Sequence, residues 1–409
     1  MKTNIRIGIM YWYSYIRHSK NLTLMQRDLN IQMVDLKTQY QHIKNDVDNA
    51  MQQVINSTQF INGDEVKNFQ AELADYLGVK HVITCGNGTD ALQIAMMGLG
   101  LKTGDEVITP YFTYIATTEV IGLLGLKPVF VDCDHNTFNI SPTAIEKAIT
   151  KKTRAIVPVH LFGQSCDMAE IMNIASKYNL FVIEDNAQAI GCTYSGLEHP
   201  QKTGTIGNVG CTSFFPSKNL GCYGDGGAMM TNDDELAKQL RMIANHGQSK
   251  KYYHDRVGCN SRLDNIQAAI LRIKLRQLDT YIHNRQKAAA FYDKHFESEP
   301  KLKIPVRITD SDHVFHQYTL KLDDSINRND LISHLKENGI PAMVYYPVPA
   351  HLQKMFSSID VSKGDLSNTE WLTTRVISLP MHTELTEKQQ LFIVNHIKNY
   401  LNINSWILQ

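Results

Sequence analysis

The sequence predicts an α/β protein, with a seven-stranded, mostly parallel sheet sandwiched by helices and a smaller C-terminal α+β domain. Between about residues 80 and 232, short β-rich runs alternate with helical stretches, which is the pattern of a parallel sheet covered on both faces. The runs at 155–161 and 181–183 are almost continuously apolar, as expected of strands that are buried on both sides. The length of 409 residues favours two or three domains.

The predicted elements follow one another in the order that such a sheet requires. The β-rich runs predict strands at 81–85, 106–110, 128–132, 155–161, 181–185, 211–215 and 228–231. Helices are predicted between them at 91–99, 116–124, 141–149 and 168–178. The third helix has a well-marked start, because Ser141 is a favourable N-cap and Pro142 is favourable at the first helical position.

A long amphipathic helix is predicted to connect the two domains. From Ile266 toward His295, apolar residues recur close to a 3.6-residue period. The elements predicted beyond residue 301 are a strand at 317–322 and helices at 328–338 and 387–401. These elements predict the smaller α+β domain.

We expect three segments, namely an N-terminal extension over 1–32, a large domain over 33–282 and a small domain over 283–409. The extension is Tyr-rich and precedes the first patterned segment, so we expect it to be disordered or to result from a start codon placed too early, with Met25 as the true first residue. It is a poor signal peptide, because it lacks a sustained apolar segment followed by a small-residue cleavage site.

Composition excludes several classes of protein. Lys plus Arg and Asp plus Glu both number 41, so the chain has no excess positive charge with which to attract nucleic acid. No apolar run reaches the roughly 18 residues that a membrane-spanning helix needs. The seven cysteines are dispersed and form no C-x-x-C pair, which argues against a disulfide framework or a thiolate zinc site. We therefore expect a cytoplasmic protein that binds neither nucleic acid nor membrane.

A glycine-rich cluster follows the first predicted strand and opens a helix. Residues 86–91 read Gly-Asn-Gly-Thr-Asp-Ala and match the G-x-G-x-x-A fingerprint of dinucleotide-binding proteins. Any phosphate would suit such a turn, because glycines let the backbone approach closely and the helix N-terminus favours an anion. The pattern alone is thus compatible with a nicotinamide or flavin oxidoreductase, with another phosphate ligand, or with a tight turn that binds nothing.

Two further clusters carry a carboxylate and an amine. Asp185 follows the apolar residues 181–183 at the edge of the sheet, where an isolated Asp could simply cap the next helix. Lys218 lies in a Gly-rich turn between two predicted strands, after Ser213. A lysine in that setting is a candidate nucleophilic amine.

One cofactor, pyridoxal 5′-phosphate (PLP), would use all three clusters. PLP needs a lysine for a Schiff base, a carboxylate that keeps its ring nitrogen protonated, and a phosphate cup. A nicotinamide site would leave Lys218 and Asp185 without a role. It would also need an acidic residue at the end of the second strand, whereas Asp105 precedes the strand at 106–110.

Four motifs resemble the sugar aminotransferases of the DegT/DnrJ/EryC1/StrS family, within the fold type I superfamily of aspartate aminotransferase. They are GNGTDALQIA, VIEDNAQAIG, TSFFPSKNLGCYGDGGA and GCNSRLDNIQAAIL, and the resemblance runs from about Val34 to the C-terminus. Members with His in place of Lys218 are dehydratases, so lysine implies transamination.

The resemblance implies a role for each matching position. Lys218 would hold the cofactor covalently and then move the proton between substrate carbon and cofactor, and Asp185 would pair with the ring nitrogen. The other cofactor contacts would be Gly88, Thr89 and Ser213 at the phosphate, Tyr114 on the ring face, Gln188 near the phenolic oxygen, and Asn260 at the phosphate of a partner subunit. Tyr114 could instead pack in the core. Asn260 implies a homodimer with shared active sites.

The implied reaction moves an amino group from L-glutamate to a nucleotide-linked keto-sugar, to make an amino sugar for a surface polysaccharide such as lipopolysaccharide. The segments DLKTQYQHIKNDVDNA and SRLDNIQAAIL are similar to enzymes that aminate C3 of UDP- or dTDP-linked 3-keto-sugars. A 4-keto-sugar aminotransferase, a nicotinamide-dependent oxidoreductase and a non-catalytic PLP-binding scaffold are the alternatives.

Substrate contacts are the least defined part of the expected site. Arg262 could contact an anionic substrate group or pair with Asp264. Tyr345 and Ala350 stand where many relatives have His and Leu, and this region would lie on the substrate side. The histidines that could line the pocket or be structural are His313, His316, His351 and His160. No combination of His, Asp and Glu has metal-ligand spacing.

Overall fold

The computed structural model describes residues 29–357 and 365–407, with side chains up to residue 402. The principal helices are α1 (Leu36–Ser57), α2 (Asp64–Leu77), α3 (Gly88–Gly98), α4 (Ala116–Leu123), α5 (Pro142–Ala148), α6 (Met168–Tyr178), α7 (Asp234–Ile243), α8 (Asn265–Leu275), α9 (Leu278–Phe296), α10 (Arg328–Glu337), α11 (Ser367–Arg375) and α12 (Glu387–Ile407). The expected extension over 1–32 lies almost wholly outside the described residues.

Seven strands form the large sheet. They are β1 (His81–Cys85), β2 (Glu106–Pro110), β3 (Lys127–Val131), β4 (Thr153–Ile156), β5 (Phe181–Asp185), β8 (Val209–Ser213) and β9 (Gly227–Thr231). Their spatial order is β1-β9-β8-β5-β4-β2-β3, and only β9 runs antiparallel to its neighbours. The predicted α/β class with a mostly parallel sheet is confirmed. Two short hairpins, β6 (Thr193–Tyr194) with β7 (Gln201–Lys202) and β10 (Gln248–Lys250) with β11 (Tyr253–His254), lie outside this sheet.

The fourth strand is shorter than the sequence predicts. The apolar run at 155–161 suggests a strand over its whole length, but β4 ends at Ile156 and a turn of 3₁₀ helix covers Leu161–Gly163. Pro158 lacks the amide hydrogen that a central strand would need there. Beyond it, Val159 makes an isolated parallel bridge with Asp185, so the chain stays beside β5 without forming a full ladder.

The connector between the domains is two helices where the sequence predicts one. Helix α8 ends at Leu275 and α9 starts at Leu278, and both of these leucines are buried in the large-domain core. The second helix continues into another hydrophobic core, where Tyr292 and Phe296 are buried. The break redirects the chain so that α8 packs against α1 and α2 while α9 reaches the small domain.

The small domain has its own core around a three-stranded antiparallel sheet. This sheet consists of β12 (Leu302–Lys303), β13 (Tyr318–Leu322) and β14 (Val376–Leu379). Helices α10 and α12 contact each other, and α12 also contacts α9. Ile31 packs into the same core although it precedes the large domain in the chain. Over the described ranges, no helix is both long and apolar enough to cross a membrane.

Candidate active site

The polar clusters meet at one edge of the large sheet. Strands β1, β5 and β8 run in the same direction and end at Cys85, Asp185 and Ser213. Ligands of open α/β sheets bind beyond the carboxyl ends of such strands. Gly227 of the antiparallel β9 faces both Cys85 and Ser213 across the ladders. The edge therefore gathers the phosphate cup, the carboxylate and the serine in one place.

The cup at the start of α3 is shaped by residues without side chains. A Cβ on Gly88 would lie 2.7 Å from Cβ of Ser213, and a Cβ on Gly227 would lie 2.4 Å from the carbonyl of Asn87. Asn87 caps the helix by accepting a hydrogen bond from the amide of Asp90 at 2.8 Å. The amides of Gly88 and Thr89 begin the helix and thus have no acceptor within it. This arrangement suits a phosphate group.

Asp185 is held by hydrogen bonds on both carboxylate oxygens. Its Oδ2 accepts the hydroxyl hydrogen of Thr117 at 2.7 Å, and its Oδ1 accepts the amide of Ala187 at 3.2 Å. The Asp185 side chain is buried at the end of β5. Each oxygen keeps a further lone pair, so the carboxylate can still accept a hydrogen bond from a ligand.

The Lys218 amine has no hydrogen-bond or ion-pair partner among the described residues. Partial removal from water lowers the pKa of Lys218 to about 8, although the nearby Asp185 carboxylate acts in the opposite direction. Part of the side chain remains accessible. The neighbouring Asn219 anchors the loop, because its Nδ2 donates to the carbonyl of Val314 at 3.0 Å. The loop thus holds the Lys218 amine close to the Asp185 carboxylate without an ion pair between them.

Gln188 is linked to two tyrosines, Tyr346 by a hydrogen bond and Tyr114 through the ring of Tyr346. The Gln188 Oε1 accepts the amide of Phe162 at 2.7 Å, while its Nε2 donates to the hydroxyl of Tyr346 at 3.0 Å. The ring of Tyr346 lies 6.0 Å from that of Tyr114. Tyr114 is 57% exposed, so it is not packed in the core within this chain.

The Asn-Ser-Arg motif is attached to the phosphate cup through its serine. Ser261 accepts the amide of Gly86 at 2.8 Å, and its hydroxyl donates to Asp90. Asn260 is exposed, and its Oδ1 accepts from Nε of Arg262 at 2.7 Å. Arg262 is therefore directed to Asn260 and not to Asp264, which was one of the two partners expected for it beside an anionic substrate group.

Comparison with known proteins decides the family. The model of the DegT/DnrJ/EryC1/StrS aminotransferase family matches residues 41–398. The chain belongs to the DegT/DnrJ/EryC1/StrS aminotransferase family.

Several relatives in this family cover nearly the whole chain. A UDP-2-acetamido-2-deoxy-3-oxo-D-glucuronate aminotransferase from Pseudomonas aeruginosa is 48% identical, covering 87% of this chain and 96% of that protein. A UDP-N-acetyl-3-dehydro-α-D-glucosamine 3-aminotransferase from Acidithiobacillus ferrooxidans is 42% identical over 92% of this chain and 100% of that protein. A protein from Geobacillus stearothermophilus named pleiotropic regulatory protein is 46% identical over 91% and 99%.

Solved structures of the family have the same fold. DesV from S. venezuelae, in complex with a ketimine intermediate, superposes with a TM-score of 0.86 at 39% identity, covering 91% of this chain and 98% of that one. NtdA from Bacillus subtilis, with bound cofactor PMP, gives a TM-score of 0.79 at 32% identity over 87% and 81%. The predicted family, fold type and PLP dependence are confirmed.

The candidate substrate residues of this family member are less closely grouped. His316 is buried, and burial together with Lys218 and Arg285 holds its pKa well below the ordinary value, so it is neutral. Tyr345 packs beside Tyr346 at a ring separation of 5.8 Å. His351 lies against Tyr111, with 4.6 Å between ring centroids, and Tyr111 belongs to a separate hydrophobic cluster that includes Phe356.

The other two candidate histidines have structural partners. His313 stacks on Phe315 at 3.8 Å and its Nδ1 accepts the amide of that residue. His160 contacts Glu184 through Nε2 at 2.9 Å, while its Nδ1 accepts the amide of Cys166. These contacts support the structural interpretation of both residues.

Three residues of this site were not predicted from the sequence, namely Thr117, Ser261 and Tyr346. Ser261 stands inside the Asn-Ser-Arg motif, so the sequence did carry a signal for it. Thr117 follows Tyr114 by three residues, but a threonine near a helix start gives no signal of its own. Tyr346 is adjacent to Tyr345, and only the fold shows that it is the residue bonded to Gln188.

Proposed function

We propose that this protein transfers the amino group of L-glutamate to C3 of a nucleotide-linked 3-keto-sugar, with PLP as cofactor. The products are 2-oxoglutarate and a 3-amino sugar nucleotide, so the exchange of amino and keto groups needs no other oxidant or reductant. The UDP-linked 2-acetamido-3-keto-sugars named for the P. aeruginosa and A. ferrooxidans relatives are the first substrates to test. The amino sugar would serve the synthesis of a surface polysaccharide.

The observation that carries this proposal is the unpartnered Lys218 amine in the electrostatic field of the buried Asp185 carboxylate. A lysine that makes no ion pair within the described chain and has a pKa of about 8 is available as a nucleophile near neutral pH. The carboxylate stands where a protonated ring nitrogen would be stabilised. The turn at Gly88 leaves no room for a side chain there, and its free backbone amides would bind the phosphate of the cofactor.

Each residue then has a definable task. When bound, PLP supplies a conjugated ring that accepts the electrons of a broken C–H bond. Lys218 would hold the cofactor, and once released as a free amine it would carry the proton between substrate carbon and cofactor. Asp185 would balance the charge of the ring nitrogen. Thr89, Gly88 and Ser213 would bind the phosphate, and Gln188 and Tyr114 would fix the ring.

We further propose a homodimer with shared sites and a cytoplasmic location. Asn260 is exposed and lies in the same segment as Ser261, which is bound to the cup of its own chain. An exposed side chain at this place can contact a partner's phosphate. All seven cysteines fall within the described residues and are free thiols, as suits a reducing compartment.

The decisive experiment combines colour, labelling and turnover. Purified protein should be yellow, L-glutamate should bleach it, and borohydride should fix the cofactor to Lys218, as read by peptide mass spectrometry. A panel of UDP- and dTDP-linked 3-keto- and 4-keto-sugars with L-glutamate would then identify the acceptor. Amination only at C4 would replace the C3 assignment with the 4-keto alternative.

Lys274 provides the matched control. It is 1% exposed and burial lowers its pKa to about 8 as well, but it lies over the ring of Tyr223 and not beside Asp185. Label on Lys274 or on surface lysines, or full turnover by Lys218→Ala, would refute the proposal. Protein that is yellow but is not bleached by glutamate would instead be a cofactor-binding scaffold, and tight nicotinamide binding without colour would indicate an oxidoreductase.

A further inference from the structure

Asp185 is the end of an ordered chain of buried hydroxyl groups. Thr117 donates to Oδ2 of Asp185 at 2.7 Å, and the hydroxyls of Thr113 and Thr117 are 3.3 Å apart. A carboxylate only accepts hydrogen bonds, so the single hydroxyl hydrogen of Thr117 is committed to Asp185. Thr113 must then be the donor to Thr117, and the chain runs Thr113 to Thr117 to Asp185.

Water cannot replace these contacts. Thr117 is 0% exposed and Thr113 is 4% exposed, and Asp185 is 6% exposed. In such surroundings a hydrogen bond to a charged acceptor is stronger than in water, and successive bonds polarise one another. The two hydroxyls therefore stabilise the negative charge of Asp185 and fix the plane of its carboxylate.

The position of Thr117 links this chain to the expected ring-stacking residue. Thr117 lies in the first turn of α4, three residues after Tyr114, and the intervening residues form the entrance to that helix. Thr118 secures this turn by donating its hydroxyl to the carbonyl of Ile115 at 3.0 Å. One short segment thus determines both the place of Tyr114 and the orientation of the Asp185 carboxylate.

We propose that Thr117 is a positioning residue for the reaction, which orients the Asp185 carboxylate toward the ring nitrogen of the cofactor, and that Thr113 supports it as donor. This inference rests on the proposed function of Asp185. Thr117 contacts neither substrate nor cofactor in this role. Thr117 uses one lone pair of Asp185 Oδ2, and the amide of Ala187 uses one lone pair of Oδ1. The second lone pair of each oxygen can therefore accept a hydrogen bond from the ring nitrogen.

The test is equilibrium binding of PLP to apoprotein of the wild type, Thr117→Val and Thr117→Ser. Valine keeps the shape of threonine without the hydroxyl, and we expect PLP to bind about 10-fold more weakly, because Asp185, no longer held by Thr117, loses part of its charge-assisted hydrogen bond to the ring nitrogen. Serine keeps the hydroxyl and should bind within about 3-fold of wild type. Thr113→Val, which removes only the second hydroxyl, should have a smaller effect in the same direction.

A PLP analogue with C–H in place of the ring nitrogen separates positioning from general damage. With this analogue, Thr117→Val and wild type should bind equally, because Asp185 has no ring proton to accept. Equal losses with PLP and with the analogue would show a merely structural role, and wild-type PLP affinity in Thr117→Val would also overturn the proposal. If Thr117→Val does not fold, Thr113→Val carries the same comparison, and equal affinity for PLP in that variant and wild type is the contrary result.

This outcome is distinguishable from a failure of the proposed function. If wild-type apoprotein does not bind PLP at all, the cofactor assignment of this site is wrong. If wild type binds PLP and turns over but Thr117→Val is indistinguishable from it, only the positioning role is wrong. A stopped-flow measurement of the glutamate half-reaction supplements binding, and we expect Thr117→Val to slow the rate at saturating glutamate while Thr117→Ser does not.

Discussion

The hydroxyl of Ser261 accepts the amide of Gly86 at 2.8 Å, which attaches the loop carrying Asn260 to the turn that opens the phosphate cup. The same hydroxyl donates to Asp90 in the first turn of α3. Two segments 175 residues apart in the chain are thereby held together. The turn at Gly86 and the segment that carries Asn260 therefore form one structural unit.

Ser261→Ala should destabilise the protein and weaken cofactor binding together. Removing the hydroxyl leaves the half-buried Gly86 amide and the Asp90 carboxylate without this partner, which costs roughly 1–3 kcal/mol of unfolding free energy. Urea unfolding measures the first effect and PLP titration of apoprotein the second. Ser176→Ala, at an exposed position of α6, is the control and should change neither quantity. If Ser261→Ala is destabilised but binds PLP with unchanged affinity, the loop of Ser261 does not contribute to the binding of the cofactor.

Lys218 should make the apoprotein more stable as pH rises above 8. Burial lowers the pKa of Lys218 to about 8 from the ordinary value of 10.5, so between these two pH values the unfolded chain binds a proton that the folded chain does not. Charged Lys218 therefore costs stability below pH 8, and this cost disappears as pH rises through 8 toward 10.5. The full difference is on the order of 3 kcal/mol.

The measurement compares urea unfolding of apo wild type and Lys218→Met at pH 7 and pH 10. The variant has no such proton to lose, so its advantage over wild type should shrink at pH 10. A stability difference that does not change with pH would mean that Lys218 has an ordinary pKa in the folded apoprotein.

Glu184 should be far more important for stability than an exposed glutamate. Its carboxylate accepts the amides of Gly204, Ile206 and Gly207 as well as Nε2 of His160, and both side chains are wholly buried. Glu184→Ala would leave these donors unpaired and should lower the unfolding free energy by about 3–5 kcal/mol. Glu235→Ala breaks an exposed pair with Lys238 and should cost less than about 1 kcal/mol. Comparable losses in the two variants would contradict this interpretation.

Shared active sites predict recovery of activity in mixed dimers. Asn260→Ala and Lys218→Ala should each be inactive or nearly so, but a heterodimer of the two contains one site with both residues intact. A randomised equal mixture should recover about a quarter of wild-type activity, because half of its dimers have one intact site of two. Native mass spectrometry would verify subunit exchange. No recovery after verified exchange would show that each chain builds its site alone.

The sequence predicted the sheet and the central residues of the site because their signals are local. Asp185 follows an apolar strand, Lys218 lies in a Gly-rich turn, and the glycines before Thr89 mark the start of α3. The ends of strands were less predictable, as at β4, where Pro158 interrupts an otherwise apolar run. Helix α1 was not predicted because its apolar face gives a weak periodic signal. Its only buried aliphatic residues are Ile43, Val47 and Val54.

Contacts between distant parts of the chain could not be read from the sequence. Thr117 is 68 residues from Asp185, and Tyr346 is 158 residues from Gln188. Nothing in the neighbourhood of either residue distinguishes it from an ordinary threonine or tyrosine. The sequence left two partners open for Arg262, an anionic substrate group or Asp264, and gave no sign of the hydrogen bond that Arg262 donates to Asn260.

Helix α9 makes the two lobes mechanically dependent on each other. Ile282 near the start of α9 is buried in the core of the large domain, and Phe296 at its end is buried in the core of the small domain. The helix therefore connects the two cores directly. Arg285 on the same helix donates hydrogen bonds to the carbonyls of Phe315 and Met381. A displacement of the C-terminal lobe would therefore be transmitted along α9, and through the hydrogen bond between Val314 and Asn219 it would reach the loop of Lys218.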